Sequence, residues 1–217
     1  MNRVKAVIFD LDGVLCSTDD FHYLAWKGIA DKLGISVDES LKDKVRGISR
    51  MDSLDIVLGD RKTSFSLDEK KRLADEKNNN YRKMLDSMTP NDRFPGVEDV
   101  LSSLHQMGIK TAIGSSSRNT PLILDKLCIS SFFDAVADGS MVTRSKPSPD
   151  VFLKAAELLA ESPKDCIVAE DAFSGIEAAF RGGFIPVAVG SDAARNPKSK
   201  FVISELKELL PIVRKER

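Results

Sequence analysis

Asp10 and Asp12 stand one residue apart, directly behind the apolar run Val4–Phe9 and ahead of Gly13. Side chains alternate along an extended backbone, so a strand continued through this point would turn both carboxylates to one face. Three further polar groups occupy comparable places. Ser115-Ser116-Ser117 follows the run Ile109–Ile113, Lys146-Pro147 precedes a helix, and Glu170-Asp171 follows Cys166–Ala169. Each alone has a plainer reading: D-x-D-G as a turn with two solvated acids, the serines as a capping loop, Lys146 as a surface charge, and Glu170-Asp171 as a helix start favoured by the macrodipole. Together, at successive strand ends, they supply what a phosphoryl group in transfer needs: an in-line nucleophile, cations against its equatorial oxygens and a proton donor for the leaving oxygen. Asp10 fits the nucleophile, forming an aspartyl phosphate, and Asp12 the acid and base at the transferring oxygen. Glu170 and Asp171 offer hard oxygen ligands for Mg²⁺. Lys146 offsets the repulsion between carboxylate and phosphate, and the Ser115 hydroxyl with nearby N–H groups can hold a phosphate oxygen.

These residues need a scaffold that gathers strand ends. Val4–Phe9 reads as a buried strand closed by a glycine turn. From about Asp19 to Met88 the pattern is helical. Phe21, Leu24, Ala25, Ile29 and Leu33 recur at helical spacing, and Ser36 with Glu39 and Ser66 with Glu69 read as capping boxes that each open another helix. Beyond Pro95-Gly96, helices over 97–107, 119–127 and 174–182 alternate with strands over Ile109–Ile113, Ala135–Ala137, Cys166–Ala169 and Ile185–Val189. Another helix starts at Pro149 with Ser148 as its cap. The alternation predicts an α/β fold: a doubly wound parallel sheet with ligands at the carboxyl ends of its strands. The all-α stretch is an insertion after the first strand. The expected domains are a core of about 1–15 and 94–217 and a helical cap of about 16–93, with hinges near Leu15–Thr18 and Asp86–Arg93.

The composition narrows the function classes. With 32 basic and 33 acidic side chains among 217 residues the net charge is −1, which excludes a strongly basic nucleic-acid binder. No apolar run approaches the roughly 18 residues of a membrane span. The beginning of the chain lacks a small-residue cleavage site, so the expectation is a cytoplasmic protein acting on a small molecule, with monomer as the default state. Cys16, Cys128 and Cys166 have neither disulfide-framework nor zinc spacing and read as packing residues.

Ile8-Phe9-Asp10-Leu11-Asp12-Gly13-Val14, Ser115, Lys146-Pro147 and Glu170-Asp171 resemble the four motifs of the haloacid dehalogenase-like phosphotransferases, in their usual order and across the whole chain. The insertion after the first motif is similar to their small helical cap. Thr18 and His22 with Ala25-Trp26, Arg46-Gly47-Ile48-Ser49-Arg50 with Asp52-Ser53-Leu54, Asn78-Asn79-Asn80-Tyr81 and Ser115-Ser116-Ser117-Arg118-Asn119 resemble the hexose-phosphate mutases among them. The resemblance implies conversion between β-D-glucose 1-phosphate and glucose 6-phosphate through glucose 1,6-bisphosphate, which also serves as primer. It implies Asp10 as the phosphorylated nucleophile, Asp12 as acid and base, and Mg²⁺ on Asp10, the Asp12 carbonyl, Glu170 and Asp171. Ser115 and Lys146 would hold the transferring phosphate, and Arg50, Ser117, Arg118 and Asn119 the distal one. Thr18 and His22 would couple cap position to Asp12. Arg46 and Arg118 stand where that pattern has Lys, and the two cations are not equivalent.

Several cap residues also have plain roles. Trp26 lies on a helical stripe and reads as packing, His22 alone fits a core or surface position, Arg50 alone fits a solvated helix start, and Asn78–Asn80 fit an exposed helical face. The resulting reading is a magnesium-dependent hexose-phosphate mutase with its site between core and cap. A sugar-phosphate phosphatase with the same apparatus is the rival, separated from it by Arg50 and Ser117-Arg118-Asn119. A catalytically idle binding module is disfavoured because it has no need to hold mutually repelling acids.

Overall fold

A computed structural model describes residues 4–45 and 48–217. The described chain divides into two compact units, residues 18–88 and the remainder on either side.

The larger unit is built on six parallel strands: β1 (Ala6–Phe9), β2 (Lys110–Gly114), β3 (Ala135–Ala137), β4 (Cys166–Glu170), β5 (Ile185–Val189) and β6 (Phe201–Ile203). Their order is β3-β2-β1-β4-β5-β6. Every residue of β1 is fully buried, as expected for a central strand of a parallel sheet covered on both faces, which therefore reads as an uninterrupted apolar run. Ala6 and Ile8 enter a cluster with Val151, Phe152, Ala155 and Ala156, and with Ala178 and Ala179. Those residues come from two helices, Asp150–Leu159 and Phe173–Arg181. Val7 and Phe9 alternate to the opposite face.

The order makes β1 the switch point, with chain connections running one way toward β2 and β3 and the other toward β4, β5 and β6. The crevice beyond β1 and β4 is where such sheets receive ligands. Register completes the placement: Phe9 lies opposite Ile113 on one side and Ala169 on the other, so Asp10, just past β1, comes level with Gly114 and Glu170, the last residues of β2 and β4.

The smaller unit contains α1 (Asp19–Lys32), α2 (Leu41–Val45), α3 (Arg50–Leu58) and α4 (Leu67–Leu85). Trp26, Ile29 and Ala30 of α1 pack with Leu54, Val57 and Leu58 of α3 and with Leu73 and Ala74 of α4. The box expected at Ser66 is present: the Glu69 N–H donates to Ser66 Oγ at 3.3 Å, and the Ser66 N–H donates to Glu69 Oε2 at 2.8 Å.

Several expectations are corrected. Ser36 and Glu39 open no helix. The Asp38 carboxylate takes both the N–H and the hydroxyl of Ser40, at 2.9 and 2.5 Å, an Asx turn ahead of α2, which begins only at Leu41. Leu24 is 48% exposed, and Trp26 takes the inward position in its place. Ser148 does not cap its helix: its hydroxyl donates to Asp150 Oδ1 at 2.8 Å, and the helix starts one residue later than expected. Cys16 and Cys166 are buried, whereas Cys128 is exposed at φ 53° and so is no packing residue. Among the described residues no helix is long and apolar enough to cross a membrane.

Candidate active site

The end of β1 delivers Asp10, which is 8% exposed, and its N–H donates to the Ala169 carbonyl of β4 at 2.9 Å. The Lys146 ammonium donates to Asp10 Oδ1 and Glu170 Oε2, each at 2.7 Å. The second Glu170 oxygen accepts the Ala172 N–H at 2.9 Å. One oxygen each from Asp10, Glu170 and Asp171 lies within 4.8 Å of the others. Three carboxylates at this spacing match the donor chemistry of a hard divalent cation.

Glycines make the space. A Cβ at Gly175 would sit 2.0 Å from the Glu170 carboxyl carbon, and one at Gly13 would sit 2.0 Å from Asp171 Oδ2. Gly13 also adopts φ +78°, in the region that disfavours side chains. The glycine behind the D-x-D pair thus both turns the chain and clears room for the Asp171 carboxylate.

Burial pushes the Asp10 carboxyl up to about 7, with the Glu170 charge adding to the rise and Lys146 opposing it. Burial, followed by the charges of Glu170 and Asp10, pushes Asp171 up to about 9. For Lys146 burial works against the charge, yet the two carboxylates outweigh it and hold the ammonium above the ordinary lysine range. The cluster has more negative charge than one ammonium balances, so it binds either protons or a cation.

Ser115, 3% exposed, follows β2 and lies beside the ends of β1 and β3; its N–H donates to the Ala137 carbonyl at 3.1 Å. Its hydroxyl accepts the Ser117 N–H at 3.1 Å, and the Ser117 hydroxyl accepts the Asn119 N–H at 3.2 Å. Ser116 and Ser117 are partly buried, Arg118 is exposed and Asn119 is buried at the start of a helix, Thr120–Lys126. Asp12 lies two residues beyond Asp10 in the turn and is partly exposed.

In the helical unit, the Thr18 hydroxyl is 2.9 Å from the Tyr81 hydroxyl. The His22 and Tyr81 rings lie 4.2 Å apart. Arg50 Nη2 donates to Asn78 Oδ1 at 2.8 Å, which gives that asparagine a positioning contact rather than a merely exposed place. Arg46 and Gly47, expected near the distal phosphate, lie outside the described residues. Sequence reasoning missed Lys77. Its ammonium is 2.7 Å from His22 Nδ1 and stands over the rings of Trp26 and Tyr81, at 5.0 and 4.6 Å from their centroids. Its one available signal was that four residues separate it from Tyr81 on one helix, hidden among the many charges of α4.

Strand order, polar groups at the ends of β1, β2 and β4, and a buried carboxylate–lysine cluster define a phosphotransferase-type site on a haloacid dehalogenase-like fold. A model of the haloacid dehalogenase-like hydrolases matches residues 4–183, and the chain belongs to that family. It is 42% identical over 189 residues to the beta-phosphoglucomutase of Bacillus subtilis (strain 168), a match covering 86% of this chain and 84% of that protein. The crystal structure of the beta-phosphoglucomutase pgmB from Clostridium difficile superimposes with a TM-score of 0.93 at 39% identity, covering 98% of this chain and 96% of the other. The fructose-1-phosphate phosphatase YqaB of Escherichia coli (strain K12) is 31% identical over 189 residues, with 86% and 97% covered.

Proposed function

We propose that the chain is an enzyme that interconverts β-D-glucose 1-phosphate and glucose 6-phosphate through an aspartyl phosphate on Asp10 and bound glucose 1,6-bisphosphate. The observation that carries this reading is the Asp10 carboxylate, buried at the switch point with one oxygen on Lys146. The 42% identity to a beta-phosphoglucomutase supports the choice of sugar phosphate.

Asp10, Glu170, Asp171 and the Asp12 carbonyl would hold Mg²⁺, which when bound supplies the positive charge that lets a carboxylate approach a phosphate. In the forward direction the 6-hydroxyl of β-glucose 1-phosphate attacks phosphorus on phosphorylated Asp10. The phosphorus–Asp10 bond breaks as the new oxygen–phosphorus bond forms, and Asp12 accepts the hydroxyl proton. After the bisphosphate has turned end for end, Asp10 attacks the 1-phosphate. The bond from phosphorus to the sugar oxygen breaks, and Asp12 returns the proton to that oxygen. Glucose 6-phosphate leaves with Asp10 phosphorylated again. Lys146, with two hydrogen bonds already directed at this point, stabilises charge on the transferring group, aided by Ser115. Arg50, Ser117, Arg118 and Asn119 grip the phosphate that is not being transferred.

The test incubates the protein with Mg²⁺, β-glucose 1-phosphate and glucose 1,6-bisphosphate, and assays glucose 6-phosphate and free phosphate together. Glucose 6-phosphate in large excess over free phosphate supports the mutase. Free phosphate as the main product replaces this reading with a sugar-phosphate phosphatase.

A further inference from the structure

Lys146 reaches two carboxylates at once, and the helix over Asp150–Leu159 sets where it starts from. The Asp150 carboxylate accepts three hydrogen bonds, from Arg144 Nε at 2.9 Å, Arg144 Nη2 at 2.8 Å and Ser148 Oγ at 2.8 Å. It therefore ties the residue two positions before Lys146 to the residue two positions after it. Between them the Ser148 N–H donates to the Ser145 carbonyl at 2.9 Å, closing the turn. Further along the same helix the fully buried Phe152 lies under the Lys146 ammonium, 4.7 Å from nitrogen to ring centroid. Phe152 is seated in turn by a missing side chain: a Cβ on Gly114 would come within 2.5 Å of its ring.

The Arg144 side chain is 74% exposed and that of Asp150 18%. Single ion pairs so exposed add little to global stability. This pair, however, has a forked, two-point geometry, which fixes orientation more than it adds energy. We propose that Asp150 is a positioning residue: by clamping the 144–150 loop onto its helix it sets the reach of Lys146 to Asp10 and Glu170. The Arg144 and Ser148 hydrogen bonds hold the Asp150 carboxyl below its usual range, so it remains an anion under working conditions. The inference rests on Lys146 stabilising the transferring phosphate as proposed above.

Calorimetry on the whole chain tests it with two probes, Mg²⁺ alone and inorganic phosphate in saturating Mg²⁺. Once released from its clamp, Lys146 competes less with the cation for Asp10 and Glu170 oxygens and meets the anion less well. Asp150→Ala should therefore bind Mg²⁺ about threefold tighter and phosphate about fivefold weaker, and Asp150→Asn should fall between it and the parent. General structural damage weakens both. Arg144→Gln and Ser148→Ala, each removing part of the clamp, should show the same opposed shifts at smaller size, and they decide the matter if Asp150→Ala fails to fold. In a Lys146→Ala background Asp150→Ala should change neither affinity. If Lys146→Ala weakens phosphate binding but the Asp150 and Arg144 variants leave both affinities unchanged, or weaken both, Asp150 is not a positioning residue. If Lys146→Ala itself leaves phosphate binding intact, the role given to Lys146 fails first and this inference fails with it.

Discussion

Lys146 in the α/β unit is 5% exposed and Lys77 in the helical unit 3%, but their surroundings differ in kind. Lys146 sits between two carboxylates, each accepting a hydrogen bond from it. Lys77 meets an imidazole nitrogen and the faces of Trp26 and Tyr81, where the ring quadrupoles attract a cation without becoming anions themselves. In the first arrangement opposite charges are locked together at the ends of strands, so it responds to whatever competes for the carboxylates. In the second, a positive charge is buried beside a titratable ring, so it responds to protons. Burial pushes the His22 pKa well below its usual value, and the charges of Lys77 and Arg50 push it further. The same burial that raises Asp10 and Asp171 thus lowers His22, because in every case it disfavours the charged form.

The comparison can be broken most forcefully at Asp10. Asp10→Asn removes the carboxylate proposed as nucleophile, and turnover should fall by roughly 10³-fold or more, the scale seen when a nucleophile is deleted. The acid-stable, base-labile phosphoenzyme formed from acetyl phosphate should vanish, which radiolabelled phosphate would reveal. Near-normal activity in that variant excludes an aspartyl phosphate at this position.

Gly175→Ala tests whether the carboxylate cluster depends on space as well as charge. The new Cβ would overlap the Glu170 carboxyl group, forcing it off Lys146 and the Ala172 N–H. We expect a loss of about 1–3 kcal/mol in denaturant-measured stability and weaker Mg²⁺ binding in calorimetry. Retention of both would mean that Glu170 has room to spare.

On the helical side, Arg50→Ala would remove the charge-assisted contact proposed for the second phosphate, worth roughly 1.5–3 kcal/mol. Mutase flux should fall at least about tenfold, while phosphoenzyme made from acetyl phosphate still decays to free phosphate at a comparable or faster rate. Equal mutase activity in variant and parent would remove the reason for assigning Arg50 to a second phosphate.

The smallest expected effect is the protonic one. Above pH 6.5 His22 is neutral in both the folded and unfolded chain and contributes no pH dependence. As pH falls below 6.5 the unfolded chain gains a proton that the folded chain refuses, so stability falls by up to about 1.4 kcal/mol per pH unit until the folded His22 titrates. The difference in thermal stability between parent and His22→Asn should therefore change between pH 7.5 and 5.5, with the parent losing more on acidification. Lys77→Met should raise the His22 pKa, followed by NMR of the ring protons, because one of the charges opposing its protonation is gone. An unmoved His22 titration in that variant would show the two groups to be uncoupled.

The α/β architecture was legible in the sequence because strands buried on both faces, as in β1 and β4, have to be apolar without interruption, and because each carries its polar residues just past its end. Asp10, Asp12, Ser115, Glu170 and Asp171 could be picked out on that ground, and Lys146, well beyond β3, by its place ahead of a helix. Local competition was less legible. Ser36 and Glu39 had capping-box spacing, yet the chain there forms an Asx turn with Asp38 bound to Ser40, and spacing alone did not tell the two apart. Lys77 was invisible, since a lysine in a charge-rich helix reads as solvated until its neighbours are known. The sequence by itself determined which groups could do chemistry and the kind of sheet that would carry them, because residue type and periodicity are local properties. Only the tertiary structure brought Lys146 onto Asp10 across 136 residues and set Lys77 against His22, because hydrogen bonds of 2.7 Å and the burial that shifts a pKa depend on which strand ends and helix faces become neighbours.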